Sequence, residues 1–467
     1  PWVAAPMGTA TISHYKRRAE SDHMMRYEKL LPHILDLAAL DDAALDATAL
    51  ATAKLSFYDW LVVSCAGSAE PLAVIIRDFI ASEAGTPTAS VTGSAHKFPA
   101  RAAALANGTI SHALDYDDTH FAYVGHPSVA IFPAALAAAE EVGASAADVC
   151  KAFLVGAEVS CRIGMVLGRR HYDAGFHQTA TAGCFGATVA AARLYQLDSA
   201  ALRGALGLAS TRASGLKSQF GTMGKPFNAG MAAANAIEAC GLARRGFTSA
   251  SDGLGGPQGF VPAHQPQHDD CEILWPQTTP TKFIFADVRH KLHACCHGTH
   301  AMIEALCMLM AKQDVTTENL LSLTIKVNPR WLKVCDIKRP RTGLEVKFSY
   351  AFLAAMVLHQ IDTAACQSYD DALCDDAALA ATAGKVTVIG DELISDGGVV
   401  VSADIGSGTI CTDTFDLMAL LDTTVLQNRL VAKATALLGA AKASEIWDSM
   451  AAIDTISAAD MARHLRS

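Results

Sequence analysis

The stretch Ala146–Leu167, with the sequence AADVCKAFLVGAEVSCRIGMVL, repeats apolar residues at helical spacing along its whole length. The same spacing recurs through most of the chain from Arg26 to Arg245. The clearest other windows are Ala49–Cys65, Ala69–Ser82, Ala100–Leu114, Ser128–Val142, Thr181–Tyr195, Ala200–Ser210 and Ala229–Arg244. Alanine is frequent in these windows, and small side chains let helices pack closely. The pattern predicts a large all-helical domain, with one short strand over Thr86–Thr92.

The pattern changes after a Gly/Pro-rich loop, Ser251–Pro266. Alternating apolar residues, typical of strands, occupy Leu320–Val327, Gly384–Ile389 and Gly398–Ala403. Helical patterns lie between and after these strands, at Leu344–Leu358, Asp370–Ala383, Asp422–Gly439 and Ala443–Arg466. We therefore expect a mainly α protein with a smaller α+β lid domain. The expected segments are a tail (1–25), the helical domain (26–270), the lid domain (271–405) and helices returning to the helical domain (406–467).

Composition excludes several classes of protein. The 467 residues are 51% hydrophobic and 18% charged, which suits a large folded core and not a disordered chain. A net charge of −10 gives no global positive field, so we expect no nucleic-acid partner. The 13 scattered cysteines, the absence of a signal-like N-terminus and the lack of an uninterrupted apolar run of about 18 residues predict a cytoplasmic protein with free thiols and no membrane-spanning helix.

A first polar cluster, HALDYDDTHFAYVGHPS, runs from His112 to Ser128. On a continuous helix His112, Asp115 and Thr119 would share one face, with Asp117 pointing elsewhere. A carboxylate, a hydroxyl and an imidazole on one face suit proton transfer. The alternative is a polar helix end followed by a turn, and the Asp/His spacing is only a weak signal for a metal.

Two further clusters precede helical windows. In RRHYDAGFHQT (169–179), Thr179 is suited to cap a helix whose N-terminus, beside His177, would favour an anion. The alternative is a capping loop with surface arginines. In GTMGKPFNAG (221–230), the glycine spacing is wrong for a phosphate loop, and Pro226 stands where Ser or Thr would bind magnesium. Lys225 at a helix start would instead bind a carboxylate, unless it is simply exposed to solvent.

The fourth cluster, KLHACCHGTH, runs from Lys291 to His300. Its spacing fits no structural zinc pattern, so proton transfer or a buried Cys/His core is favoured over a metal site. If the segment is helical, Cys296 and His300 share a face. The sequence contains no Gly-x-Gly-x-x-Gly after a strand and no Gly-x-Ser-x-Gly elbow, so neither a dinucleotide site nor a serine hydrolase is indicated.

Taken in this order, the clusters resemble the MmgE/PrpD family over about residues 30–460. The motifs that carry the resemblance are Asn107-Gly108 through Asp115–Thr119, His126–Ser128, Gly175–Thr179, Gly221–Gly230 and Lys291…Cys295-Cys296…His300. The family includes 2-methylcitrate dehydratase, cis-aconitate decarboxylase and iminodisuccinate epimerase. The resemblance implies a helical domain with an α+β lid, a homodimer, no metal or organic cofactor, and a small polycarboxylate substrate bound in the cleft between the domains.

Family positions transfer to this sequence by motif. The implied catalytic residues are Lys291, His126 and Asp115, and the implied substrate-binding residues are Thr119, His177 and Lys225. Cys296 is a further catalytic candidate, although it departs from the family pattern. Two positions differ from the decarboxylase-like members. Cys296 stands where they carry a histidine, and Phe352 stands where they carry the tyrosine of a Glu-x-Arg/Lys-x-Ser-x-x-Tyr stretch.

The overall likeness is closest to iminodisuccinate epimerase. Epimerisation removes and returns a proton beside a carboxylate, so it needs a base, an opposing acid and cations that stabilise the developing charge. Lys291 with Cys296, or Lys291 with His126, would supply the two proton carriers. The alternative within the family is a lyase that dehydrates or decarboxylates a tricarboxylate. The alternative outside enzymes is a ligand-binding or zinc-stabilised protein.

Overall fold

The computed structural model of the protein describes residues 22–25, 29–264, 273–276, 282–406 and 410–466. Most of the predicted tail and the end of the predicted Gly/Pro-rich loop lie outside the described residues. The described chain forms two compact units. The helical unit runs up to His290 and resumes at Leu438, and the sheet unit runs over Lys291–Leu437. The sequence patterns placed these boundaries near residues 270 and 405.

The first part of the helical unit is a succession of helices joined by short turns. Its helices are α1 (Leu30–Ala38), α2 (Ala47–Gly67), α3 (Pro71–Ala81), α4 (Ala100–Ser111), α5 (Pro127–Val142), α6 (Ala146–Asp173), α7 (Gln178–Leu194), α8 (Ser199–Arg212), α9 (Gly224–Ala243) and α10 (Phe260–His264). Two short antiparallel pairs accompany them: β1 (Asp22–Met25) with β4 (Ile273–Pro276), and β2 (Ala89–Ser90) with β3 (Lys97–Phe98). None of the described helices alone combines the length and apolarity needed to cross a membrane, although the bent pair α2 and α3 meets that criterion by length and composition.

Glycines allow the central helices to touch backbone to backbone. A Cβ atom added at Gly186 of α7 would lie 2.3 Å from the carbonyl oxygen of Gly156 in α6. Likewise, a Cβ atom at Gly108 of α4 would lie 2.7 Å from Cα of Gly230 in α9. Both distances are too short for any side chain, so these crossings require glycine. The crossings fix the lateral positions of α7 and α9, whose first residues belong to the candidate site.

The sheet unit contains a mixed four-stranded sheet in the order β6-β5-β7-β8. Its strands are β5 (Ser322–Val327), β6 (Val386–Gly390), β7 (Gly398–Asp404) and β8 (Ile410–Asp416); β6 is parallel to β5, and the other neighbours are antiparallel. Its helices are α11 (His297–Lys312), α12 (Leu332–Cys335), α13 (Gly343–Val346), α14 (Tyr350–Leu358), α15 (Ala377–Ala383) and α16 (Thr423–Leu438). Helices α17 (Ala440–Ala451) and α18 (Ala458–Ala462) follow in the helical unit.

The predicted fold class is confirmed, because the chain is mainly helical with a small mixed sheet. Some local predictions are wrong. Residues 406–467 are not all helical, since β8 lies among them; three consecutive polar residues, Thr412, Asp413 and Thr414, interrupt the alternation that would reveal the strand. The predicted helix Leu344–Leu358 is broken before Tyr350, because the Ser349 side chain accepts the N–H of Phe352 and starts a new helix.

Candidate active site

Three helices of the helical unit begin side by side at residues with ionisable side chains. His126 is the N-cap of α5, His177 is the N-cap of α7, and Lys225 is the second residue of α9. The His126 N–H donates to Thr179 Oγ1 at 3.1 Å, which joins the first two helix starts. Asn228 Nδ2 lies 3.2 Å from His177 Nδ1 and joins the second to the third. The positive dipole end makes each helix start favourable for an anion. The first N–H groups of α9 already donate to Thr222, so there the lysine side chain is the available donor.

The predicted helix through His112 and Thr119 is wrong. Helix α4 ends at Ser111, and Asp115 adopts a left-handed conformation with φ 49°. Aspartate tolerates this conformation better than most residues, so the chain turns instead of continuing the helix. Thr119 is held by a reciprocal backbone pair with Arg289, with N–H···O distances of 2.7 and 2.8 Å. The turn still places Asp115 beside Lys225 and His126 at the helix starts. Helical spacing does not predict this arrangement.

Asp115 connects two of the helix starts through its carboxylate. Its Oδ1 lies 2.7 Å from Lys225 Nζ and 3.9 Å from His126 Nε2. The lysine and histidine side chains are 15% and 14% exposed, whereas the aspartate side chain is 47% exposed. The cluster is therefore reachable from solvent mainly at its carboxylate.

Behind His126 lies a buried His–Asp pair. His112 Nδ1 donates to Asp117 Oδ1 at 2.7 Å, and both side chains are almost fully buried. The other carboxylate oxygen, Oδ2, lies 3.1 Å from His126 Nδ1. Burial alone would raise the pKa of Asp117, but the two histidines outweigh it and hold that pKa well below its usual value. Sequence reasoning missed Asp117, because helical spacing pointed it away from His112.

His177 is a neutral donor at the start of α7. Burial, reinforced by the nearby His112, His126 and Lys225, lowers its pKa well below the usual value. The Asn228 amide is the donor in its contact with His177 Nδ1, so the ring hydrogen of the neutral imidazole resides on Nε2. A neutral imidazole N–H of this kind can donate to a carboxylate. Asn228 lies inside the Gly221–Gly230 motif, but nothing in that motif marks it as a site residue.

Thr179 and Tyr123 fix the loop that carries His126. Thr179 does not cap α7 as predicted; His177 occupies the N-cap position, and the Thr179 hydroxyl accepts the His126 N–H. The Tyr123 ring is buried against Gly125, Gly164 and Gly183, where a Cβ atom would lie within 2.8 Å of its atoms. The Tyr123 hydroxyl donates to the Thr179 carbonyl at 3.2 Å. The position of the loop therefore depends on these small residues.

The remaining two predicted catalytic residues, Lys291 and Cys296, lie in the sheet unit. Lys291 is 3% exposed. Cys296 is the N-cap of α11, and its N–H donates to the Lys347 carbonyl at 3.1 Å. The predicted helical face shared by Cys296 and His300 is wrong, because the helix begins only at His297. Cys296 is therefore presented at a helix start, as His126 and His177 are.

The thiol of Cys296 is hydrogen-bonded to a second thiol, that of Cys335. A hydrogen bond with Cys296 and burial raise the pKa of the Cys335 thiol, which lies at the end of α12. Tyr350 donates to the Gly298 carbonyl at 2.8 Å and is fully buried, so its hydroxyl is already engaged. Phe352 is also buried and offers no hydroxyl.

Among the described residues, His112, Asp117 and His126 form the one group of three side chains close enough to share a metal ion, with candidate ligand atoms within 4.8 Å of one another. We assign this group as hydrogen-bonded. Both histidines direct Nδ1 at oxygen acceptors, and His126 Nδ1 also lies 2.7 Å from the carbonyl oxygen of Asp118. A metal there would need both nitrogens without hydrogens and would deprive that carbonyl of its donor.

Family models match both parts of the chain. The MmgE/PrpD N-terminal domain matches residues 37–270, and the MmgE/PrpD C-terminal domain matches residues 293–405. The chain belongs to the MmgE/PrpD family.

The chain is similar to several proteins named as cis-aconitate decarboxylases. The cis-aconitate decarboxylase-like protein oryM of Aspergillus oryzae is 31% identical over 239 residues, which are 46% of this chain and about half (48%) of that protein. Cis-aconitate decarboxylase of Aspergillus terreus is 26% identical over 371 residues, covering 73% of this chain and 74% of that protein. The Homo sapiens enzyme of the same name is 34% identical over 157 residues, 32% of each chain.

Proposed function

We propose that this protein is a lyase that releases carbon dioxide from an unsaturated tricarboxylate such as cis-aconitate. The observation that carries the proposal is the meeting of three helix starts at His126, His177 and Lys225. Such a site offers several anion-binding positions a few ångströms apart, which suits a substrate with several carboxylates. Similarity to proteins named cis-aconitate decarboxylase supports the choice of reaction.

The reaction balances with a single proton. The bond between a carbon and one carboxylate breaks, and its electron pair moves into a new carbon–carbon double bond. The original double bond shifts its electrons to the far alkene carbon, which takes up a proton. A trianionic six-carbon acid and one proton thus give carbon dioxide and a dianionic five-carbon acid. The protein must hold the other two carboxylates, stabilise the developing charge and supply the proton.

The described residues suit these tasks. Lys225 and the first turn of α7 would hold carboxylates, and the neutral His177 would donate a hydrogen bond to one of them. His126, whose Nε2 faces the carboxylate of Asp115, would supply the proton. The family motifs imply substrate binding for Thr119 and proton handling for Lys291, and Cys296 is a further candidate proton carrier at a position that departs from those motifs.

Epimerisation of iminodisuccinate is the second candidate. Two observations favour it: a thiol, Cys296, occupies the position of a histidine in the decarboxylase-like members, and the buried Phe352 offers no hydroxyl. A thiol at a helix start is a suitable proton carrier for returning a proton to the opposite face of a carbon. The two candidates share the carboxylate site and differ in the fate of the substrate carbon.

Proton NMR of the purified protein in deuterated water distinguishes them. We expect cis-aconitate to yield carbon dioxide and a five-carbon acid with one deuterium on the former alkene carbon. Deuterium at the methine of single iminodisuccinate stereoisomers, with formation of the other epimer and no change in cis-aconitate, would replace the lyase by the epimerase. Loss of water from 2-methylcitrate would point to dehydration. The matched variants are His126→Asn, which should lose about 100- to 10,000-fold in kcat and keep a measurable residual rate, and His171→Asn, which removes a buried histidine of the same unit and should keep its activity.

A further inference from the structure

The proton-carrying nitrogen of His126 can be identified from its neighbours. Nδ1 lies 2.7 Å from the carbonyl oxygen of Asp118, 3.1 Å from Asp117 Oδ2 and 3.4 Å from Thr119 Oγ1. A carbonyl oxygen and a carboxylate only accept hydrogen bonds, so Nδ1 must carry a hydrogen. Nε2 is then the nitrogen whose proton comes and goes, and it is the one on the side of Asp115.

Asp117 is placed to accept the Nδ1 hydrogen of that ring. Its side chain is fully buried, and one of its oxygens is occupied by His112 Nδ1 at 2.7 Å. The other oxygen is left for His126. This carboxylate therefore fixes the orientation of the His126 ring from the buried side of the cluster, and Nε2 stays on the side of Asp115.

We propose that Asp117 is a positioning residue: anchored by His112, it acts with the Asp118 carbonyl to keep a hydrogen on Nδ1 of His126, so that Nε2 takes up a proton from solvent and delivers that proton to the substrate. This inference rests on the proposed function for the identity of the reaction. The contacts and the tautomer of His126 do not depend on which reaction is catalysed. The inference and the proposed function can therefore be refuted separately.

The tautomer is measured without substrate. Long-range proton–nitrogen NMR correlation of protein labelled with ¹⁵N-histidine, recorded at a pH at which the imidazole is neutral, distinguishes Nδ1–H from Nε2–H rings. The signal missing from His126→Asn identifies His126. We expect a hydrogen on Nδ1 and a bare Nε2. A hydrogen on Nε2 overturns the inference whatever the substrate is, whereas inactivity toward all the tested acids overturns only the proposed function.

A double-mutant cycle tests the role of Asp117. Asp117→Asn should lower kcat by about 100-fold with little change in KM, because the carboxylate does not touch substrate. In the His126→Asn background the same change should have an effect within about twofold of none, because the residue through which it acts is gone. If the fold-losses in kcat of the two single variants instead multiply in the double variant, Asp117 acts independently of His126. That result would overturn the proposal. Glu140→Gln removes another buried carboxylate of the helical unit and should leave kcat unchanged.

Discussion

Replacing Lys225 with methionine removes the lysine ammonium group from the cluster at the three helix starts. Methionine keeps the length and apolar stem of the lysine, so packing changes little. The Lys225–Asp115 pair, at 2.7 Å, involves a carboxylate that is 47% exposed. Partly exposed pairs contribute about 0–1 kcal/mol. We therefore expect the free energy of unfolding to change by less than about 1 kcal/mol.

The effect on catalysis should be much larger. A charge-assisted hydrogen bond to a substrate carboxylate contributes about 1.5–3 kcal/mol, which is roughly a 10- to 150-fold loss in kcat/KM. If Lys225 binds a carboxylate that does not react, most of that loss will appear as a higher KM. If it stabilises charge that develops during the reaction, kcat will fall instead.

Steady-state kinetics on cis-aconitate, with unfolding by urea as the stability measurement, checks both numbers. The matched control is Lys217→Met, which removes a cation of the same unit that donates to the Tyr172 carbonyl at 2.9 Å and does not touch Asp115. Equal losses in both variants would mean that Lys225 contributes only to the general positive field. An unchanged kcat/KM in Lys225→Met would refute its role in substrate binding.

The remaining predictions concern proton handling, packing and pH. Lys291→Met should lower kcat by at least about 100-fold in the same assay, and near-normal turnover would remove this lysine from the proton-handling groups. Gly164→Ala should destabilise the fold by about 1–3 kcal/mol in urea, because its Cβ atom would lie 2.5 Å from the Tyr123 ring; Gly241→Ala, on a helix with room for the methyl group, should not. Burial raises the pKa of Asp118 to about 8. Since the unfolded carboxyl loses its proton near pH 4 and the folded one near pH 8, stability should fall across that range. Asp118→Asn should flatten this dependence in unfolding curves at several pH values, and an unchanged slope would contradict it.

The sequence predicts helices better than it predicts the turn on which the site depends. Long windows such as Ala146–Leu167 carry enough apolar residues to reveal their period, and the structure forms a helix there. The His112–Thr119 segment is different, because one left-handed residue, Asp115, redirects the chain, and no periodicity marks such a residue. The same turn buries Asp117 against His112, a contact that depends on tertiary packing.

The types of residue at the helix starts follow from burial. His177 is 2% exposed, and a buried side chain can be an uncharged imidazole at moderate cost, whereas a lysine there would need a compensating anion. Lys225 occupies the start that is partly open to solvent, and it has Asp115 as its anion. The charges of Lys225 and Asp115 therefore largely compensate each other, and the positive ends of the helix dipoles and the neutral His177 add attraction for an anion. A polycarboxylate competes with Asp115 for Lys225 and can also accept from His177, so the site can favour a multiply charged acid over a single carboxylate.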